Sequence, residues 1–137
     1  MVRSPLSVLV VEDEPLVRIV VVEELESLGF VVAEADSARA ARHVVQGSRA
    51  LTAAIIDVGL PDARGDELAR EIRGLWPTTA IVLVSGYDED SLRERFTDFH
   101  RIAFLSKPYL AGDLVAVLRR FGIQATVPTA PSAPPST

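Results

Sequence analysis

The sequence predicts an α/β fold in three layers, a five-stranded parallel sheet with helices on both faces. Short apolar runs rich in β-branched residues alternate with segments of helical periodicity, and each run stops at a polar or charged residue. Strands that alternate with helices return in the same direction through right-handed crossovers, so helices cover both faces. A further observation locates the centre. The stretch from Leu51 to Pro61, LTAAIIDVGLP, holds an apolar run that ends in Asp57 and breaks at Gly59 and Pro61. Continuous apolar character marks a strand buried on both faces, and the crevice of an open parallel sheet lies at the carboxyl edge of such strands.

Leu6 to Val11 reads as the first strand, ending at Glu12, Asp13 and Glu14. Pro15 brings the fixed φ suited to a first helical position, Asp13 or Glu14 can cap, and Gly29 closes the helix. Val17, Val20, Val21, Leu25 and Leu28 form its core stripe. Ile19 and Val22 fall on the opposite face, either as scattered exposed apolar residues or as a docking patch for a partner. Phe30 to Ala33 is the second strand, and Ser37 caps a helix through Gln46 that Gly47 ends. Asp66 to Leu75 follows the central strand as a helix burying Leu68, Ile72 and Leu75, stopped by Trp76 and Pro77.

Ala80 to Val84 is the fourth strand, ending at Ser85 and Gly86. Asp88, Glu89 and Asp90 then open a short helix, where the macrodipole favours negative charge. Arg101 to Leu105 is the fifth strand, ending at Ser106, Lys107 and Pro108, and Ala111 to Phe121 is the last helix, apolar at Leu114, Val115, Val117 and Leu118. His43 and His100 have no second ligand at metal spacing and read as surface or packing residues.

The chain has 137 residues, 48% of them hydrophobic, which suits one domain with a sheet covered on both sides. That domain is expected over 1–123. The Pro, Ala, Ser and Thr of 124–137 bury too little apolar surface to offset their ordering entropy and read as a disordered tail. A formal charge of −5 with no clustered basic residues argues against nucleic acid or an anionic membrane as partner. The chain has no cysteine, which excludes disulfides, a thiol nucleophile and thiolate metal sites and fits a reducing cytoplasm. Val8 to Val11 is cut off by three acids and is too short for a signal peptide or a membrane span.

Parallel strands all finish on one side. Glu12 and Asp13, Asp57, Ser85 and Lys107 therefore converge at one edge. Three carboxylates brought together repel unless a cation lies between them, and an all-oxygen set selects a hard ion such as Mg²⁺. Magnesium keeps waters and takes a phosphate oxygen, so an oxyanion ligand is implied, with Lys107 and Ser85 of the right types to hold it.

The segments Val8 to Glu14, Ile55 to Pro61 with Gly65, Leu83 to Gly86, and Leu105 to Pro108, in this order and spacing, resemble the receiver domains of bacterial two-component response regulators, including the single-domain chemotaxis type. The resemblance runs from Leu6 to Phe121. It implies a flavodoxin-like sheet of order 2-1-3-4-5 and a phosphoacceptor, Asp57, that receives a phosphoryl group from a phosphohistidine on a sensor histidine kinase or a histidine phosphotransfer protein. By the same resemblance Asp13 and Asp57 ligate Mg²⁺ with the backbone carbonyl of Gly59, and Glu12 acts through metal-bound water. Asp57, Lys107 and Ser85 would carry the transfer, while Ser85 and Phe104, the aromatic three residues before the lysine, would switch the face made by the fourth helix, fifth strand and fifth helix toward a downstream target. Phe104 also reads simply as a core residue. Lacking a tyrosine hydroxyl, it implies a looser switch.

Glu12 stands where many relatives have Asp, and Ser85 where Thr is commoner. Gly59 and Tyr87 border the expected water path and are expected to tune the lifetime of the acyl phosphate. The chain is expected to be a stand-alone phosphoacceptor rather than an enzyme acting on other substrates, with a homodimer left open. Two other classes compete: a receiver-like binding module that never uses phosphate, and an aspartyl-phosphate phosphatase. The second is disfavoured because Asp57-Val58-Gly59 lacks the Asp-x-Asp pattern of the haloacid dehalogenase type.

Overall fold

A computed structural model describes residues 6–86 and 89–124. Tyr87 and Asp88, and the expected tail from 125 on, lie outside the described residues. The order of elements is β1 (Ser7–Val11), α1 (Pro15–Ser27), β2 (Val31–Ala35), α2 (Ala38–Gln46), β3 (Ala53–Asp57), α3 (Gly65–Leu75), β4 (Ala80–Ser85), α4 (Glu89–Glu94), β5 (Ile102–Ser106) and α5 (Ala111–Arg120). The five strands pair in parallel in the order β2-β1-β3-β4-β5. This is the flavodoxin-like sheet that the resemblance implied.

Alternation along each central strand divides the core in two. Leu9, Val11, Ala54, Ile56, Ile81 and Leu83 face one layer, where they pack with Leu68 and Ile72 of α3 and with Leu92 and Phe96. Val8, Val10, Ala53, Ile55, Val82 and Val84 face the other, with Val21, Val22 and Leu25 of α1 and Leu114, Val117 and Leu118 of α5. Both β3 and β4 are buried at every position, which is why they read as unbroken apolar runs. Among the described residues no helix is long and apolar enough to cross a membrane.

Several elements differ from expectation. On α1 the core residues are Val21, Val22 and Leu25, whereas Val20 is 60% exposed. Val20 and Val22 lie about 100° to either side of Val21 on the helix, so periodicity alone leaves the choice of flank open. Packing in the second core layer takes Val22, which therefore cannot be the exposed docking residue expected of it. Leu75, expected in the core, is the last residue of α3 and 60% exposed. Strand β2 begins one residue later than expected and runs on to Ala35; as an edge strand it is only partly covered, so its apolar signal is weak. Strand β5 starts at Ile102, because Arg101 takes a left-handed conformation with φ of 55°. Ser37 caps α2 as expected, accepting the Ala40 amide at 3.0 Å, and Gly47 closes that helix.

Candidate functional site

The sheet register decides which strand ends meet. Val11 lies beside Ile56, so Glu12 and Asp57 follow side by side. Asp57 is level with Val84 and Ser85 with Ser106, which leaves Lys107 just beyond the end of β5. The Lys107 amide donates to the Ser85 carbonyl at 2.8 Å and the Val58 amide to the Val84 carbonyl at 2.9 Å, holding the three strand ends together past the regular ladder.

Lys107 Nζ lies 2.8 Å from Asp57 Oδ2 and 3.3 Å from Glu12 Oε1. Glu12, Asp13 and Asp57 each offer a carboxylate oxygen within 4.8 Å of the other two. Glu12 and Asp57 are 4% and 5% exposed. Three clustered carboxylates, two of them buried, with one ammonium beside Asp57 and Glu12 leave two formal negative charges, an arrangement that favours a further cation. Oxygen donors with no histidine or cysteine among them fit a hard divalent ion such as magnesium.

Burial pushes the Glu12 carboxyl above its ordinary value, and the charge of Asp57 adds to this; the Glu14 amide, which donates to Glu12 Oε2 at 3.0 Å, and Lys107 oppose it without cancelling it. For Lys107, burial alone would lower the ammonium, but the hydrogen bond and charge of Asp57, with Glu12, outweigh burial and raise it. The Tyr109 phenol is pushed up to about 12, chiefly by burial and then by the charge of Glu12.

The loop after β3 is built around Asp57. The Gly59 amide donates to Asp57 Oδ1 at 3.0 Å and orients the carboxylate. The Gly65 amide donates to the Val58 carbonyl at 2.9 Å. A Cβ on Gly65 would overlap the Asp57 carbonyl oxygen and stand 2.8 Å from the Asp57 carbonyl carbon, so only glycine allows α3 to start this close to the strand end. Asp62 accepts the amides of Ala38 and Arg39, each at 2.9 Å, which ties the loop to the start of α2 and holds its carboxyl below the usual range.

These residues border an open cleft of about 500 Å³, lined by Asp13, Asp57, Gly59, Ser85 and Lys107 and, at its rim, by Arg64 and Arg95. Glu12, Asp13, Asp57, Gly59, Ser85 and Lys107 therefore come together as expected in space. Phe104 stands apart, on β5, packed against the core layer that holds Phe96, with the two ring centroids 6.1 Å apart. The Arg93 guanidinium lies over the Phe104 ring at 4.8 Å, and Arg93 pairs with Glu89, which accepts the Ser106 hydroxyl at 2.6 Å. Helix α4 is thus fastened to β5 beside the expected switch residue. Ile19 is 47% exposed and joins Leu16 and Val20, at 80% and 60%, in an apolar row on the outer side of α1. Sequence reasoning missed Arg64, Arg95, Asp62 and Tyr109. Arg64 was within reach, since it lies in the loop that Pro61 and Gly65 delimit; Asp62 and Arg95 make their contacts across the fold and carry no local signal for them.

The family described as "Response regulator receiver domain" matches residues 8–119. The two-component response regulator ORR41 of Oryza sativa subsp. japonica is 33% identical over 124 residues, an alignment that covers 88% of this chain and 98% of that protein. The KDP operon transcriptional regulatory protein KdpE of Escherichia coli (strain K12) is 34% identical over 114 residues, covering 82% of this chain and 49% of that protein. The chain spans about half or less of the length of several curated relatives that it matches. Among solved structures, the CheY-like receiver domain from Methylobacillus flagellatus is 32% identical with a TM-score of 0.73, covering 86% of this chain and 99% of that one. With its sheet order, its acidic cleft and these matches, the chain belongs to the response regulator receiver domain family.

Proposed function

We propose that this chain is a cytoplasmic phosphoacceptor of two-component signalling in which Asp57 takes a phosphoryl group from a phosphohistidine of a sensor histidine kinase or histidine phosphotransfer protein. The observation that carries this reading is Lys107 Nζ at 2.8 Å from a buried Asp57 whose carboxylate shares a 4.8 Å cluster with Glu12 and Asp13. An Asp57 oxygen forms the new bond to phosphorus as the bond from phosphorus to the histidine nitrogen breaks, and that nitrogen leaves with the electron pair. Phosphoryl transfer asks a protein mainly for an in-line nucleophile and for neutralised charge on the moving oxygens. Lys107 and the Ser85 hydroxyl are the side chains suited to those oxygens. Magnesium, held by Asp13, Asp57 and the Gly59 carbonyl with Glu12 acting through water, would supply the remaining positive charge.

The phosphoryl group adds a charge of roughly −1.5 to −2 beside Ser85 and Lys107. Drawing Ser85 toward that charge would bias the neighbouring α4–β5 contact, where Glu89 and Arg93 meet Ser106 and Phe104. The α4–β5–α5 face is accordingly the surface offered to a downstream target. The reading is tested by intact-mass spectrometry after exposure to acetyl phosphate with and without Mg²⁺. A single labile adduct that needs Mg²⁺ and is lost in Asp57→Asn is expected; no adduct on the unaltered chain, or an adduct that survives Asp57→Asn, would overturn the assignment.

A further inference from the structure

The rim of the cleft carries a charge arrangement that the phosphoacceptor chemistry does not use. Asp66, at the start of α3, is buried, with its side chain 6% exposed. It receives two guanidinium groups: Arg64 through Nε at 3.0 Å on Oδ1 and Nη2 at 3.4 Å on Oδ2, and Arg95 through Nη1 at 2.9 Å on Oδ2. Burying a carboxylate calls for a partner, and one arginine is sufficient for that. The second is surplus. Both guanidinium side chains are about half exposed, at 52% and 49%, and both residues line the cleft that holds Asp57. Arg95 is also held through its backbone, since Arg70 Nη2 donates to its carbonyl at 2.5 Å while the Arg70 guanidinium lies 4.4 Å from the Phe96 ring centroid. The positive rim is therefore pre-positioned, with little side-chain ordering left to be done when a ligand arrives.

The sign of the charges gives the rim a task. The floor of the cleft repels a phosphoryl dianion, because its three carboxylates outnumber Lys107. Even where a divalent ion offsets that excess, the floor becomes neutral rather than attractive. The exposed Glu14 also lines the cleft, so positive charge is confined to the Arg64–Asp66–Arg95 cluster, which keeps one net positive charge and is the part of the mouth where an anionic donor accumulates. We propose that Arg64 and Arg95 form a docking site for the phosphoryl dianion of the incoming donor, holding it at the mouth before transfer; this rests on the phosphoacceptor reading of Asp57. Planar, forked guanidinium groups suit two oxygens of one phosphoryl group, and Asp66 keeps the pair oriented without neutralising both.

The experiment compares Arg64→Gln, Arg95→Gln and Arg95→Lys with the unaltered chain. Rates of Asp57 phosphorylation are followed over a range of acetyl phosphate concentrations and with a phosphohistidine protein donor, and Mg²⁺ affinity is measured by calorimetry. Each glutamine variant is expected to lower the second-order rate with acetyl phosphate by about threefold or more, with Arg95→Lys between. The deficit should shrink as salt is raised, and Mg²⁺ should bind as tightly or more tightly, since a positive charge near the cation has gone. A deficit with acetyl phosphate alone assigns the rim to small donors; a deficit with both donors assigns it to the phosphoryl group whatever its source. Unchanged rates with both donors would overturn the proposal, as would a parallel loss of Mg²⁺ affinity, which would reveal a distorted cleft. Failure of the unaltered chain to react at all would instead sink the phosphoacceptor reading.

Discussion

At residue 65 the difference between glycine and alanine is one methyl group, and the position of Asp57 depends on it. A Cβ there would overlap the Asp57 carbonyl oxygen and press on Ile56 Cγ2 at 2.9 Å. Neither neighbour is the loose end of a flexible side chain; one is the backbone of a buried strand and the other is part of the core. Relief must come from moving the α3 start or the end of β3, and both support the cleft. Gly65→Ala is therefore expected to cost about 2 kcal/mol or more, in the range seen for overpacked sites, read as a lower urea midpoint with an unchanged slope. It should also slow Asp57 phosphorylation, because the carboxylate moves with its carbonyl. A variant as stable as the parent would show that the loop has slack. Gly59, by contrast, has open space, with only Asp57 Oδ1 at 3.8 Å from where a Cβ would stand, so a side chain there tests chemistry rather than packing.

At the scale of elements, the loop after β3 and helix α2 are joined by Asp62, a contact that connects positions 24 residues apart and that no local pattern announces. Ser37 was legible as a cap because its signature is local; Asp62, which serves the same helix end from across the fold, was not. The same limit explains α1, where the periodicity of a valine-rich helix could not choose between the flanks of Val20 and Val22. It also explains the rim, since Arg95 reaches Asp66 only after α4 has packed. The acidic cleft was readable for the opposite reason. Parallel strands must finish on one side, so topology alone gathers Glu12, Asp13, Asp57, Ser85 and Lys107. The Asp62 contact has a pH signature. Its carboxyl is held below the ordinary aspartate range by the Ala38 and Arg39 amides, so the stabilisation is fully present above the unfolded value of about 3.9 and is lost as pH falls through the lower folded value. Asp62→Asn should lower the denaturation midpoint by a constant amount between about pH 6 and 8, and the gap to the parent should narrow below about pH 4. A gap that stays constant throughout would mean that the charge of Asp62 has no part in it.

For the molecule as a whole, the proposed role requires a phosphoryl donor to reach Asp57 from the carboxyl edge of the sheet, and the surface beside that edge carries an apolar row. Leu16, Ile19 and Val20 stand 80%, 47% and 60% exposed on α1, the helix that begins right after Glu12, Asp13 and Glu14. Positions i, i+3 and i+4 on one helix form a continuous stripe rather than scattered residues, and such stripes commonly mark protein contacts. Val22, two residues from Val20, is buried with Val8 and Leu25 and serves as an internal control. Replacing Leu16 or Ile19 with Asp places a charge where a protein donor would bury apolar surface, but leaves the core and the cleft untouched. Each should therefore slow transfer from a phosphohistidine protein by about tenfold, the equivalent of one well-buried apolar contact, while the rate with acetyl phosphate stays within about twofold of the parent. Val22→Asp should instead unfold the chain and abolish both reactions, because it leaves an unpaired charge in the core. If Leu16→Asp and Ile19→Asp leave transfer from the protein donor unchanged, the stripe is not the docking surface; equal losses with both donors would trace the effect to the cleft itself.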